Sequence, residues 1–192
     1  MVEISEAKLE DQEDLVEVLV PVFSDKALAL LGDAEKAAIL LPHILKAVEG
    51  ITLLARENEK AVGAILVSVE PIKLPSEIST IMKKELGYFK ALRAFRLMRD
   101  YERSLPKRKE KEALLEAVGV VEGFRGKGIG TELINRAEDW LVMQNIKHFG
   151  LSVKTSNPAV RLYSRLGFEK VSTFQNKLGH WIYMQKTLGS RS

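Results

Sequence analysis

Val118-Gly119-Val120-Val121-Glu122-Gly123-Phe124-Arg125-Gly126-Lys127-Gly128-Ile129-Gly130-Thr131 is the stretch on which the reading of this chain turns. A strand-like apolar run breaks there into a basic, glycine-rich turn and then into a helix. Gly126, Gly128 and Gly130 have no side chains, so the backbone can take positive φ and an anion can approach its N–H groups. The first amides of the following helix lack intrahelical partners, and its N-terminus carries roughly half a positive charge. Both features favour a bound phosphate. With Arg125 and Lys127 beside them, the residues read as a diphosphate cradle, the alternative being a purely structural strand-to-helix turn. The spacing G-x-G-x-G at 126–130 fits neither the P-loop nor the dinucleotide fingerprint.

Composition narrows the setting. A chain of 192 residues suits one domain, able to bury roughly 70% of the surface that its unfolded form exposes. It has no cysteine, which excludes disulfides, thiolate catalysis and cysteine zinc sites, and makes a cytoplasmic address the expectation. No basic-then-apolar leader opens the chain, and no apolar run approaches the ~20 residues that span a bilayer. His43, His148 and His180 stand singly, so no metal is expected. The net charge of +3 is unevenly placed: Lys83 to Glu112 carries eleven Lys or Arg against five Asp or Glu.

Upstream of the turn, Glu3–Lys8 reads as a first strand, followed by a helix capped by Asp11 and ended by Pro21. A second helix, capped near Asp33, carries Ala37, Leu41, Ile44 and Val48, with Pro42 expected to kink or divide it. Residues 51–56 and 61–69 make an antiparallel hairpin. Ser76 opens a long helical stretch from Glu77 to Ser104. On it Arg93, Arg96, Arg99 and Arg103 form a stripe opposite Tyr88, Ala91, Ala94, Phe95 and Met98. The stripe reads first as a solvated face, with RNA, an acidic partner or the phosphates of a cofactor as its alternatives. Residues 107–111 read as an exposed link into the strand 113–120.

Downstream, Leu133, Ile134, Ala137, Trp140 and Leu141 recur at helical spacing, to an end near Gln144. Phe149, Leu151 and Val153 alternate as a strand. Asn157 and Pro158 read as the cap and first position of a short helix ending at Gly167. Residues 168–175 and 180–186 form a terminal antiparallel pair.

Two signatures then combine. Arg125-Gly126-Lys127-Gly128-Ile129-Gly130 resembles the R/Q-x-x-G-x-G/A signature of GNAT-superfamily N-acetyltransferases. Asn157-Pro158-Ala159-Val160-Arg161-Leu162-Tyr163-Ser164-Arg165-Leu166-Gly167-Phe168 resembles that family's N-x-x-A-x-x-x-Y-x-x-x-G-F pattern, with Ala159 absorbing one place of drift. The resemblance covers about 114–188. It implies one α/β (α+β) domain over 1–192, with a helical basic insertion at about 71–111. Its central sheet would be mixed, mostly antiparallel and flanked by helices, with a splay between the two central strands.

The resemblance also implies an activity: acetyl-CoA-dependent transfer of an acetyl group to a primary amine, directly and without a covalent enzyme intermediate. A noncatalytic acyl-CoA sensor is the alternative. Backbone groups of Val118 and Val120 would take the pantetheine arm. Arg125, Gly126, Lys127, Gly128, Ile129, Gly130 and Thr131 would hold the diphosphate, and Asn157 would touch the cosubstrate from the other side. Tyr163 would protonate the departing thiolate. Glu116, which strand alternation puts on the face of Val118 and Val120, is a candidate general base; Glu122 and a water are the others. The acceptor, whether small molecule, peptide or protein, is left open. Oligomeric state is open too, a homodimer included, and neither membrane nor nucleic acid is expected as a partner.

Overall fold

The computed structural model describes residues 1–32 and 35–189, with the backbone alone for 24–30; the expected cap at Asp33 lies outside the described residues. The elements are β1 (Val2–Glu6), α1 (Gln12–Leu31), α2 (Lys36–Lys46), β2 (Gly50–Glu57), β3 (Lys60–Ser68), α3 (Glu77–Leu86), α4 (Tyr88–Ser104), β4 (Glu112–Val120), α5 (Ile129–Met143), β5 (His148–Lys154), α6 (Val160–Arg165), β6 (Glu169–Asn176) and β7 (Gly179–Thr187). Seven strands form one sheet in the order β1-β2-β3-β4-β5-β7-β6. Every neighbouring pair is antiparallel except β4 with β5. The expected mixed, mostly antiparallel sheet is what the chain forms. No described helix is long and apolar enough to cross a membrane.

Two apolar layers sandwich the sheet. On one side α5 buries Ile129, Leu133, Ile134, Ala137 and Leu141 against Val62, Ile65, Ala113 and Leu115, and Tyr163 and Phe168 extend that core beneath β5. On the other side α1 buries Leu15, Val18 and Leu19 against Leu54, Ala64, Leu66 and Ala117. A third cluster joins α2, α3 and α4 through Ala37, Ile78, Met82, Ala91 and Ala94. Each such fully buried aliphatic side chain stabilises the fold by about 1.5–3 kcal/mol relative to exposure.

That burial explains where local signals mislead. Pro21 does not end the first helix, which runs on to Leu31, and Pro42 does not divide α2. A proline deletes one ladder bond and crowds the preceding turn, but each helix has an apolar face whose burial offsets the loss. Asp11 closes a 3-10 turn ahead of α1 instead of capping the helix. Its carboxylate accepts from the Lys8 amide at 2.7 Å and from Arg56 at 2.7 Å. The stretch 77–104 is two helices, broken at Gly87, whose φ of +77° a side chain would resist. Tyr88, expected on the apolar side, is instead exposed where the second helix begins, while Arg93, Arg96, Arg99 and Arg103 form the exposed stripe.

Two further departures shape the site. Residues 107–111 are not simply an exposed link, because Arg108 and Lys109 make inward hydrogen bonds. Along β4, Leu66 of β3 faces Ala117 and Val67 faces Leu115, which leaves Glu116 as an extra residue in a bulge.

Candidate active site

The glycine turn ahead of α5 takes the backbone that its sequence requires. Gly126 and Gly128 lie at φ +77° and +85°, and Gly128 is the N-cap of α5. Gly130, expected to use the same freedom, lies inside the helix, so its value is the open space above it. A Cβ there would meet only Val120, at 3.7 Å. The helical ladder starts with the Glu132 amide on the Gly128 carbonyl at 3.0 Å, so the amides of Ile129, Gly130 and Thr131 precede it. Arg125 is held beside them by an Nε bond to the Val120 carbonyl at 3.0 Å. The Lys127 ammonium sits 4.6 Å from the centre of the Phe124 ring, a cation–π contact.

Next to the cradle the sheet splits. β4 and β5 pair only from Glu112 with His148 to Leu115 with Leu151. From Glu116 to Val120, β4 has no partner on β5, so backbone donors and acceptors of both strands border the gap. Such an edge accepts an extended chain bearing amides. Asn157 lies on the exposed turn after β5, three residues ahead of α6, and not at its first turn. Its Oδ1 accepts from the Ala159 amide at 2.9 Å, so it caps the turn that leads into the helix.

The bulge decides where Glu116 points. Val118 and Val120 pack with the α5-side core, whereas Glu116 turns to the α1 side. Simple alternation put all three on one face; the extra residue breaks that alternation. Ser68, fully buried, donates to Glu116 Oε1 at 2.6 Å and accepts from Arg108 Nη2 at 2.9 Å. Arg108 Nη2 stands 3.9 Å from the same carboxylate oxygen. Arg108 and Ser68 went unnoticed in the sequence. Only the cluster of cations just before β4 marked the place, and it read as solvent-facing.

A cavity of about 550 Å³ opens over Glu116, bordered by Leu114 and Leu115 of β4 and Ser152 of β5. Its roof comes from α1, α2, the 71–72 loop and residues 98–108. Tyr101 secures α4 to the sheet, its hydroxyl against Ser152 Oγ at 2.5 Å and its ring edge-on to Trp181 at 5.1 Å. Below the cavity, where β4 and β5 do pair, Glu112 is buried. It accepts from the Tyr183 hydroxyl at 2.6 Å, from the Gln185 amide and from the Lys109 backbone at 2.6 Å. Burial first, and then the Glu112 hydrogen bond, push the Tyr183 phenol well above its ordinary value.

Tyr163 belongs to the opposite face. It packs edge-on to Phe168 at 6.0 Å, and burial pushes its phenol up to about 12. No hydrogen bond of its hydroxyl is found among the described residues, so the proton is not committed elsewhere. Glu116 and Tyr163 therefore lie on opposite faces of the sheet. Glu122 lies exposed on a 3-10 turn, outside the cavity.

The class that these features define is an α/β protein whose seven-stranded, mostly antiparallel sheet splits beside a glycine turn at the start of a helix. Comparison makes it particular: the model of the acetyltransferase (GNAT) family matches residues 30–168, and the chain belongs to that family, whose acetyl donor is acetyl-CoA. Among solved structures, the chain is similar to the ribosomal-protein-S18-alanine N-acetyltransferase of Escherichia coli, at 16% identity and a TM-score of 0.61, covering 100% of this chain and 97% of that one. Aminoglycoside 6'-acetyltransferase type Ii gives 16% and 0.65 over 99% of both chains. PaiA N-acetyltransferase from Thermoplasma acidophilum, solved in complex with coenzyme A, gives 16% and 0.62 over 97% of this chain and 99% of that one. At such identities the likeness is one of fold. No curated protein matches the sequence.

Proposed function

We propose that this protein transfers an acetyl group from acetyl-CoA directly to a primary amine, with the acceptor entering from the cavity over Glu116. The observation that carries the reading is the split between β4 and β5 beyond Leu115, which opens beside the glycine turn at the start of α5 and has Glu116 at its root. The cradle fits a diphosphate: two glycines at positive φ, three amides ahead of the α5 ladder, and the Arg125 and Lys127 cations. In this reading residues 125–131 hold the diphosphate, the backbone of Val118 and Val120 pairs with the pantetheine amides, and Asn157 touches the arm from across the gap. Val120 enters with its carbonyl already accepting from Arg125, which leaves its second lone pair.

When bound, acetyl-CoA supplies an activated thioester carbonyl and a thiol leaving group. The chain supplies position and protons. Glu116, braced by Ser68, accepts the proton that an ammonium must lose before it can attack. Tyr163, which stays protonated far above neutral pH, holds a proton for the departing sulfur. Orientation of both reactants in the gap does much of the remaining work. Residues 71–111 act in this account as an acceptor-side insertion in a single domain, and a chain without cysteine suits a cytoplasmic setting.

Thiol release separates the enzyme from a noncatalytic acyl-CoA sensor. The protein mixed with acetyl-CoA and a panel of amines should liberate free thiol with at least one. Acetyl-CoA binding without thiol release across small amines, polyamines and peptides would favour the sensor.

A further inference from the structure

The cavity's chemistry narrows the acceptor, and the inference rests on the acetyl-transfer reading above. The described lining is overwhelmingly apolar: Phe23, Leu41, Ile72, Met98, Leu105 and Leu114 converge on the space above Glu116. The hydroxyls at its surface are already engaged. Tyr101 is bonded to Ser152, and Tyr183 donates to the buried Glu112. Arg108 turns its Nη2 to Ser68 and Glu116, and its Nη1 is a buried donor that attracts no cation. What remains inside for a cation is the Glu116 carboxylate. Glu102 also borders the cavity but is solvent-exposed, where an ion pair contributes little.

We infer that the acceptor is a primary monoamine carried on one bulky apolar group, with the ammonium at Glu116 and the apolar body in the cavity beneath α2 and α4. Three physical points support it. An apolar cavity of about 150 Å³ accepts a benzene ring, so about 550 Å³ accommodates an aryl or branched alkyl group together with its linker to the amine. A second ammonium, as in a polyamine, would lose its water in that space with no acceptor to replace it, and a hydroxyl-rich body, as in a sugar, would find one spare donor, Arg108 Nη1, for its many hydroxyls. The Arg108 guanidinium, 3.9 Å from Glu116, repels a further cation near the first.

The experiment compares kcat/KM for 2-phenylethylamine, spermidine and a lysine-rich peptide, using the whole chain and acetyl-CoA, with acetyl-CoA binding measured separately by calorimetry. The arylalkylamine should exceed both others by at least about 100-fold. Ile72→Glu places a charge at a half-buried position of the roof. It should lower the arylalkylamine value at least tenfold while acetyl-CoA affinity is unchanged, and Ile72→Ala should lower it less. Should Ile72→Glu melt early, the Ile72→Ala comparison carries the test. Equal or greater activity on spermidine or the peptide would overturn the acceptor class and leave the acetyl-transfer reading standing. Turnover of none of the three while acetyl-CoA still binds would overturn the acceptor class and favour the sensor. Failure of the parent protein to bind acetyl-CoA would overturn both.

Discussion

Tyr163→Phe isolates a single proton. The side chain is 8% exposed, its ring packs against Phe168, and no partner of its hydroxyl is found among the described residues. Removing the oxygen should therefore leave the packing intact. The expected stability change is within about 1 kcal/mol, or under about 4 °C in Tm for a domain of this size. Catalysis should respond differently. Loss of a positioned general acid costs about 10²- to 10⁴-fold, roughly 3–5.5 kcal/mol in the barrier. Thiol release at saturating acetyl-CoA and a turned-over amine should show that loss in kcat, with KM for acetyl-CoA nearly unchanged. Because the phenol is pushed from 10 to about 12, Tyr163 stays protonated from pH 6 to 9 and adds no descending limb to the parent pH profile there. The same shift sets a sign for stability. The folded state disfavours the phenolate, so the contribution is intact below pH 10 and is lost as the pH rises toward 12, a loss the Phe variant should lack. Turnover at the parent level would refute the acid assignment.

Other substitutions probe the remaining parts. Gly128→Val puts a β-branched residue at φ +85°, so it should cost about 2 kcal/mol in stability and weaken acetyl-CoA binding at least tenfold by calorimetry; unchanged affinity would sink the cradle. Glu116→Gln keeps the shape and the Ser68 hydrogen bond but removes the base, and should reduce kcat/KM for the amine by about 10²- to 10⁴-fold. A parent-like value would hand deprotonation to water. Gly150→Ala would set a Cβ 2.3 Å from the Tyr183 hydroxyl and 2.9 Å from Glu112, disturbing the buried network at the root of the split. The expected cost is about 2–5 kcal/mol, read as a lower urea midpoint, and an unmoved midpoint would contradict it.

The glycine turn at 126–128, the hairpin β2–β3 and the helix after Ile129 were legible because each signal is local: positive-φ glycines, period-two strands, and apolar residues at helical spacing. The two prolines misled for the complementary reason, since burial of α1 and α2 is a tertiary effect that no window around Pro21 or Pro42 contains. Gly87 is a single residue inside an otherwise helical pattern, so its break could be read as tolerated. The orientation of Glu116 was the costliest loss. One unpaired residue in β4 reverses the face on which its side chain emerges, and the bulge exists only relative to the partner strand β3. Arg108 shows the same limit. Surrounded by lysines it looked solvated, yet the fold brings the buried Ser68 and the Glu116 carboxylate to it from 40 residues before and eight after.

A structure of the protein bound to acetyl-CoA tests the account most directly. The account predicts the diphosphate on the amides of residues 126–131, the pantetheine arm in the gap beyond Leu115, and the thioester between Glu116 and Tyr163. A diphosphate bound away from the α5 N-terminus, or a thioester out of reach of both side chains, would contradict it.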